Sequence, residues 1–436
     1  MNVRTRIATL LSIVLLAVLS LPAVAQNLNT SNLTTSPYNR FGYGHLGSLG
    51  NSVTRSMGDV GIAIRSNQYT TLANPASLTV IDTLTCIFQV DLDAQFGTYR
   101  EGSLTDRKWD AGFSGMSFQM PLWRNFAMSL ALTPYSMVGY SYGSTDKVPV
   151  ISPTSKHDTL SYASAHSGVG GINNFMMGLG WRPFRTKTQE ASIGVNAGWL
   201  FGTLSHDAMI TTSSQASGTS IHYSASVSGL FLQFGAQFTY HLNATRSLIL
   251  GATFSPQLNL SVDSEALKYS STDSIAVTNR YRSSVKLPQR IGVGLTYNVA
   301  RKLTVSAEAE LTSWSKVQGL NSEMQSQEDL FRDVRRVALG IEYQPKVLTN
   351  NYFKVCHYRA GFSAKDSYIN VGSSNLKEFG ANLGVSLPVN KRSAINLGVG
   401  YSALRPGDGN LVKEDYLTLN LGLTFNEMMF FRNRLR

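Results

Sequence analysis

The sequence predicts an all-β protein: a fourteen-stranded antiparallel transmembrane β-barrel with an N-terminal plug inside its lumen. Two observations carry this. Between residues 84 and 425, segments of about ten residues alternate apolar and polar side chains, the mark of strands with one face in lipid and the other in a polar lumen. The breaks between them also alternate, short turn against long polar loop, as periplasmic turns and outer loops do. Composition agrees, with 15 % charged residues against roughly 25 % in an ordinary soluble domain.

The first element, residues 1–25, reads as an export signal. Arg4 and Arg6 make a basic head, Ile7 to Leu21 is apolar, and Ala23-Val24-Ala25 supplies the small-x-small cleavage pattern. The apolar run is too short for a stable span, and no later segment reaches about eighteen apolar residues. The mature chain then starts near Gln26, is exported, and belongs in a Gram-negative outer membrane. Residues 26–83 do not alternate and are rich in Gly, Asn and Ser. A barrel of this size has a lumen that needs filling, so this segment is placed inside as a plug.

Residues 84–425 form the barrel. The strands are read at 84–97, 107–120, 124–140, 170–183, 190–205, 220–240, 247–262, 283–299, 302–315, 334–345, 354–365, 374–388, 392–404 and 414–425. In the first, Leu84, Cys86, Phe88, Val90, Leu92 and Ala94 share one face, with Gln89, Asp91 and Asp93 on the other. A sandwich strand alternates too, but a sandwich has no reason to sort its loops by parity. The long breaks are 141–169, 206–219, 263–282 and 316–333. Residues 426–436 make a basic tail.

A net charge of +11 raises the question of nucleic acid. Much of the excess sits in short turns, such as Arg182, Arg185 and Lys187, so phosphate-bearing lipid headgroups are the expected counterions. Cys86 and Cys356 fall on strands that are not neighbours and read as small apolar fillers. The seven histidines lack metal-ligand spacing, and there is no nucleophile elbow or phosphate loop. No catalysis, cofactor or metal is expected.

Three groups of residues are candidates for function. Pro134 lies in the third strand, where it gives no ladder hydrogen bond. It marks either the point where that strand leaves the membrane or a break that opens the wall sideways. The inward alternation of strands eight to eleven gathers Arg290, Glu308, Glu310, Arg336, Glu342 and Arg359, with Asp91 and Asp93 on the strand after the plug. This is a neutralising ladder across the lumen or a contact with the plug, and Arg290 and Arg336 have the fork to clamp a carboxylate. Asn74-Pro75-Ala76 reads as a turn ending the plug.

Three stretches resemble the FadL-type outer-membrane transporters: Arg55 to Ala63 followed by Asn74-Pro75-Ala76-Ser77-Leu78, then Leu287 to Tyr297 running on to Trp314, then Val337 to Tyr343. The resemblance implies a hatch-plugged barrel that passes hydrophobic molecules such as long-chain fatty acids. It also implies that Asn74-Pro75-Ala76 seats the hatch and that ligand leaves through a disrupted third strand. Ser36 to Gly44 resembles a divergent branch, some of whose PorV-like relatives serve protein secretion. Two functions follow as expectations. One is passive uptake, with hydrophobic small molecules and outer-membrane lipids as partners. The other is a non-transporting barrel subunit of an outer-membrane secretion or assembly complex, with other outer-membrane proteins as partners.

Overall fold

In a computed structural model of the protein, the alternating segments pair antiparallel in chain order and the last pairs with the first, closing the sheet. The structure describes residues 36–150, 158–212, 218–270, 276–300, 302–317, 330–346, 349, 351–371, 374–390, 392–407 and 411–428. The export signal, loop residues Glu323, Glu328 and Asp329, and the tail beyond Met428 lie outside the described residues. The strands are β1 (His45–Leu46), β2 (Thr85–Glu101), β3 (Leu104–Trp123), β4 (Phe126–Val150), β5 (Asp158–Arg185), β6 (Gln189–Thr212), β7 (Gly218–Asn243), β8 (Arg246–Ser255), β9 (Asn259–Ser270), β10 (Ala276–Lys286), β11 (Gln289–Val299), β12 (Leu303–Ser313), β13 (Val334–Tyr343), β14 (His357–Val371), β15 (Ser374–Pro388), β16 (Ala394–Pro406) and β17 (Lys413–Met428).

The wall has fourteen staves, because β8 with β9 and β10 with β11 are each one stave interrupted by a proline. Pro256 and Pro288 cannot donate to the ladder, so the two staves bend together and are stitched there by Leu287 N–H to Leu258 O at 2.7 Å. The sequence reading runs straight through both breaks. Outside, the belt is apolar: Phe88, Leu92, Phe96, Trp199, Leu250, Val293, Leu339, Leu383, Leu419 and Phe425 are all exposed, the inverse of a soluble core. No described helix is long and apolar enough to cross a membrane.

Three expectations change. Segments 141–169, 206–219 and 263–282, read as loops, are largely strand: β4 to β7 run 25, 28, 24 and 26 residues and β9–β10 make a further hairpin. Both faces of these extensions carry Ser, Thr, Gly and Tyr, so the alternation that marks a lipid-spanning strand vanishes while the hairpin ladder continues. The final strand extends to Met428, because Asn426, Glu427 and Met428 pair with Ile87, Cys86 and Thr85. Cys356 precedes its strand, fully buried behind a short helical turn at Tyr352–Val355, and neither cysteine forms a disulfide.

Residues 36–82 fill the ring. The segment starts at the loop end of the barrel, where Ser36 Oγ donates to Glu414 at 2.6 Å. It descends to a 3-10 helix at Pro75–Val80 and enters β2 at the short-turn end.

Candidate functional site

The inner segment is held from every side by side chains on the polar face of the wall. At its base Asn74 is fully buried and caps the 3-10 helix, its Oδ1 accepting from Ala76 N at 3.1 Å. Its Nδ2 donates to Ile62 O at 2.8 Å and to Ala236 and Ala252 carbonyls at 3.3 Å. Pro75 and Ala76 lie against the wall at Gly194, where a Cβ would fall 2.5 Å from the Pro75 carbonyl carbon. Arg65 bonds Glu190 at 2.5 Å, and Arg182 approaches the same carboxylate at 3.5 Å.

Higher up, Glu308 is the central acceptor. Its Oε2 takes the N–H groups of Gly61 (2.8 Å) and Ile62 (3.0 Å), and its Oε1 takes Arg336 at 2.6 Å. Arg336 also donates to the carbonyls of Gly58 (2.9 Å) and Asp59 (2.7 Å). Arg290 pairs with Glu310 at 2.6 Å, and Glu342 binds Arg359 at 2.5 Å and His357 at 3.2 Å. The inward charges on neighbouring strands therefore do meet. Asp91 and Asp93 belong to a separate group on the far wall. Asp91 accepts from Ser52 N at 3.0 Å and Gln89 at 3.1 Å, and Asp93 pairs with Arg55.

Sequence reasoning missed the glycines that admit the inner segment. A Cβ on Gly361 would lie 2.0 Å from the Met57 carbonyl carbon, on Gly340 2.5 Å from Met57 O, and on Gly251 2.3 Å from Ile62 O. These glycines sit at inward positions of β8, β13 and β14, a signal visible in the alternation once a filled lumen is assumed. From the sequence alone Trp314, like Tyr240, Tyr297, Tyr343 and Tyr401 near strand ends, reads as part of an interfacial aromatic girdle. Trp314 is 2 % exposed, stacked inside the outer mouth with Tyr43, Phe331 and Tyr368, the Trp314–Tyr368 centroids 4.5 Å apart. The Tyr368 hydroxyl accepts from Tyr43 N (3.1 Å) and donates to Gly44 O (2.5 Å), tying this aromatic cluster to the inner segment.

Between that cluster and the ion pairs lies a cavity of about 400 Å³. Pro134, Tyr135, Met137, Phe231, Leu258, Leu287 and Trp314 give it apolar sides. Its floor holds Arg55, Asp59, Asp93, Arg290, Glu310 and Arg336. Both candidate clamps thus face the cavity, but each is already engaged by carboxylates. Asn74, Pro75 and Ala76 are not part of this lining. They seat the segment at the opposite end.

Beside the cavity the wall is incomplete. β3 pairs with β4 from Trp123↔Phe126 only as far as Met116↔Leu132, although both strands continue upward. At that point Pro134 sits in a bulge, with the β4–β5 register shifting between Pro134 and Ser136. The edge of β4 released by β3 is taken partly from inside, where His45 and Leu46 of β1 pair with Met137 and Ser136 and Gly47 N donates to Tyr135 O at 2.8 Å. Above, Lys108 Nζ reaches across from β3 to Ser141 O at 2.7 Å. Proline at this position removes a ladder donor, which fits the lost pairing with β3 and the register shift against β5.

A sequence model of one family, BamG, matches residues 7–436. The chain belongs to the BamG family. No curated protein matches it in sequence. This BamG-family barrel is similar in fold to a FadL homologue of Pseudomonas aeruginosa, with 12 % identity, TM-score 0.57, and 88 % of this chain and 99 % of that one covered. It is similar also to the Pseudomonas putida toluene transporter TodX (15 % identity, TM-score 0.52, 89 % and 100 % covered) and to the monoaromatic hydrocarbon channel CymD (12 %, 0.51, 90 % and 100 %). At such identity the likeness speaks for the FadL-type fold.

Proposed function

We propose that this BamG-family protein is an outer-membrane conduit through which hydrophobic molecules diffuse passively, entering the cavity from the outer mouth and leaving sideways into the bilayer. The observation that carries the reading is the unpaired stretch between β3 and β4 above Met116↔Leu132, which adjoins a cavity lined in part by Pro134. The inner segment acts as a hatch. It closes the axial route, because the glycines and ion pairs that fit it to the wall leave the lateral opening as the available exit. An apolar solute gains from that exit, since it passes from an apolar cavity to lipid without crossing water. The FadL-type neighbours, among them a toluene transporter and a monoaromatic hydrocarbon channel, support this class of ligand.

Long-chain fatty acids and similar molecules fall within this reading, but the chain and not the headgroup is what the site recognises. Arg55, Arg290 and Arg336 all stand against carboxylates, so an incoming carboxylate finds its donors taken and acids beside them. Uncharged hydrophobes therefore pass better than their carboxylate counterparts. The reading includes export by residues 1–25, residence in the outer membrane, and no catalytic step. The test is entry of dodecanol and dodecanoate into cells expressing the wild type or Pro134→Val. Restored pairing between β3 and β4 lowers entry several-fold, and unchanged entry removes lateral exit from the reading.

A second reading is a subunit of an outer-membrane secretion or assembly complex. The BamG match spans residues 7–436, whereas the likeness to transporters is one of fold, and the tall β4–β7 hairpins offer an outer surface for a partner. Native mass spectrometry of the barrel released from its own membrane separates the two. Bound apolar ligand on a free barrel supports the conduit, and a stoichiometric protein with an empty lumen supports the subunit.

A further inference from the structure

Among the described residues, the outer surface of the barrel gathers basic side chains most densely on one side. Strand pairing sets three outward rows across β15, β16, β17, β2 and β3. The lowest is Ala381, Tyr401, Leu417, Phe96 and Trp109, the lipid belt. Two residues higher come Phe379, Ala403, Asp415, Thr98 and Arg107. Two residues above that, Lys377 faces Arg405 and Lys413 faces Arg100. The top row therefore stands roughly 13 Å along the strands from the aromatic row, at the depth where a headgroup succeeds acyl chains.

Asp415 organises this stripe. It accepts from the Tyr401 hydroxyl at 2.6 Å, is paired with Arg405, and lies 3.3 Å from Arg100. One carboxylate thus holds two guanidinium groups: Arg405, which also donates to the Leu404 and Glu414 carbonyls at 3.1 and 2.9 Å, and Arg100, whose side chain stays exposed. Among the described residues, Lys377, Lys413 and Arg107 have no acid within ion-pair distance. The patch keeps a clear positive excess. The described residues on the opposite wall hold no comparable cluster. Above Trp199, strands β5, β6 and β7 contain no Lys or Arg, and Arg280 and Arg282 of β10 are matched to Glu265 (2.9 Å) and Asp263 (2.5 Å).

We infer that the β15–β16–β17–β2–β3 face binds the phosphate groups of a phosphorylated glycolipid in the outer leaflet. Its acyl chains lie on the Tyr401–Phe96–Trp109 belt and its phosphates bridge Arg405, Arg100 and the flanking lysines. Guanidinium forks match phosphate oxygens in pairs, and cations directly above an apolar belt meet headgroups and not acyl chains. The lipid fixes one face of the barrel, which leaves the β3–β4 opening turned toward the neighbouring bilayer.

The experiment is native mass spectrometry of the full-length barrel from mixed micelles containing bis-phosphorylated lipid A, dephosphorylated lipid A, or inorganic phosphate alone. The wild type retains the bis-phosphorylated form at least tenfold better than the dephosphorylated form. The triple variant Lys377→Gln, Arg405→Gln, Lys413→Gln loses that preference, while Arg280→Gln with Arg282→Gln, an alteration of the same kind on the other side, keeps it. Heat-modifiable gel mobility reports that each variant is a folded barrel. The proposal is overturned if the two lipid forms are retained equally, if the β10 variant loses as much as the triple variant, if inorganic phosphate at millimolar concentration displaces the lipid, or if the triple variant instead sheds a co-purifying protein.

Discussion

The wall has a tall half and a short half, and they meet in two different ways. Strands β4 to β7 run 25, 28, 24 and 26 residues, whereas β12 and β13 run 11 and 10. Crossing the hydrocarbon takes about 9–11 residues of tilted strand, so the short half is cut to the bilayer and the tall half rises well above it. At the β10–β11 seam the height changes above an intact ladder, because β11 still pairs with β12 along its whole length. At the β3–β4 seam the ladder stops within the wall. Each seam carries a proline, Pro288 or Pro134, and both line the cavity. A proline alone does not open a barrel. The opening comes where the neighbouring strand also diverges.

The halves differ again in how they hold the inner segment, and this yields the largest expected effect. The short half uses charge: Glu308 takes two backbone N–H groups and Arg336. Glu308→Ala takes from the buried Arg336 guanidinium its nearest carboxylate and from two backbone N–H groups their acceptor, and costs about 3–5 kcal/mol, read as a lower urea midpoint for loss of heat-modifiable mobility. The tall half has one ion pair to the segment near its base, Arg65 with Glu190, and above it uses amides, with Asn196 donating to Leu72 O at 3.0 Å and Gln233 at 2.9 Å. Asn196→Ala costs about 1–3 kcal/mol. Equal losses would erase the distinction. Next in size is Gly361→Val, whose Cβ meets the Met57 backbone. Overpacking of this kind costs about 1–3 kcal/mol, and its signature is entry of a large hydrophilic antibiotic as the segment unseats.

These differences explain what was legible beforehand. Alternation reports burial in lipid, so the belt-level strands could be read, from the Leu417–Phe425 face to the inward Glu308, Glu310 and Arg336. Above the belt both faces meet water or the aromatic interior, so β4 to β7 lose their period and read as loops, although their ladders persist. Ion-pair partners within the wall followed from strand adjacency. Partners between wall and inner segment, such as Glu308 with Gly61 or Asp93 with Arg55, depend on a path of residues 36–82 that no periodicity encodes. Trp314 was misplaced for the same reason: an aromatic at a strand end suits a girdle or a mouth, and only the presence of Tyr43 and Tyr368 decides.

The seams can be compared directly by closing one of them. With Lys108→Cys and Ser141→Cys, a reducible bis-thiol linker bridges β3 to β4 where the lysine now spans the opening. Linking lowers entry of dodecanol about tenfold, equivalent to about 1.4 kcal/mol, and reduction restores it. If linked and reduced barrels transport alike, ligand does not leave between these strands.

The smallest effect belongs to the top of the tall half. Asp207 and His222 are cross-strand partners joined at 2.6 Å in the β6–β7 hairpin, so residues 208–221 can be replaced by a two-residue Asn-Gly turn that suits a hairpin. The β6 side chains that grip the inner segment, Glu190, Ser192 and Asn196, all lie below the cut. The described residues removed are exposed or half-exposed, among them Met209, Ile210 and Ile221, so stability changes by no more than about 0.5 kcal/mol and dodecanol entry stays at the wild-type level. A height with no role in stability or passage must serve something outside the barrel, so loss of a co-purifying protein in this variant would favour the complex-subunit reading. A fall in dodecanol entry would instead extend the conduit upward along the tall sheet.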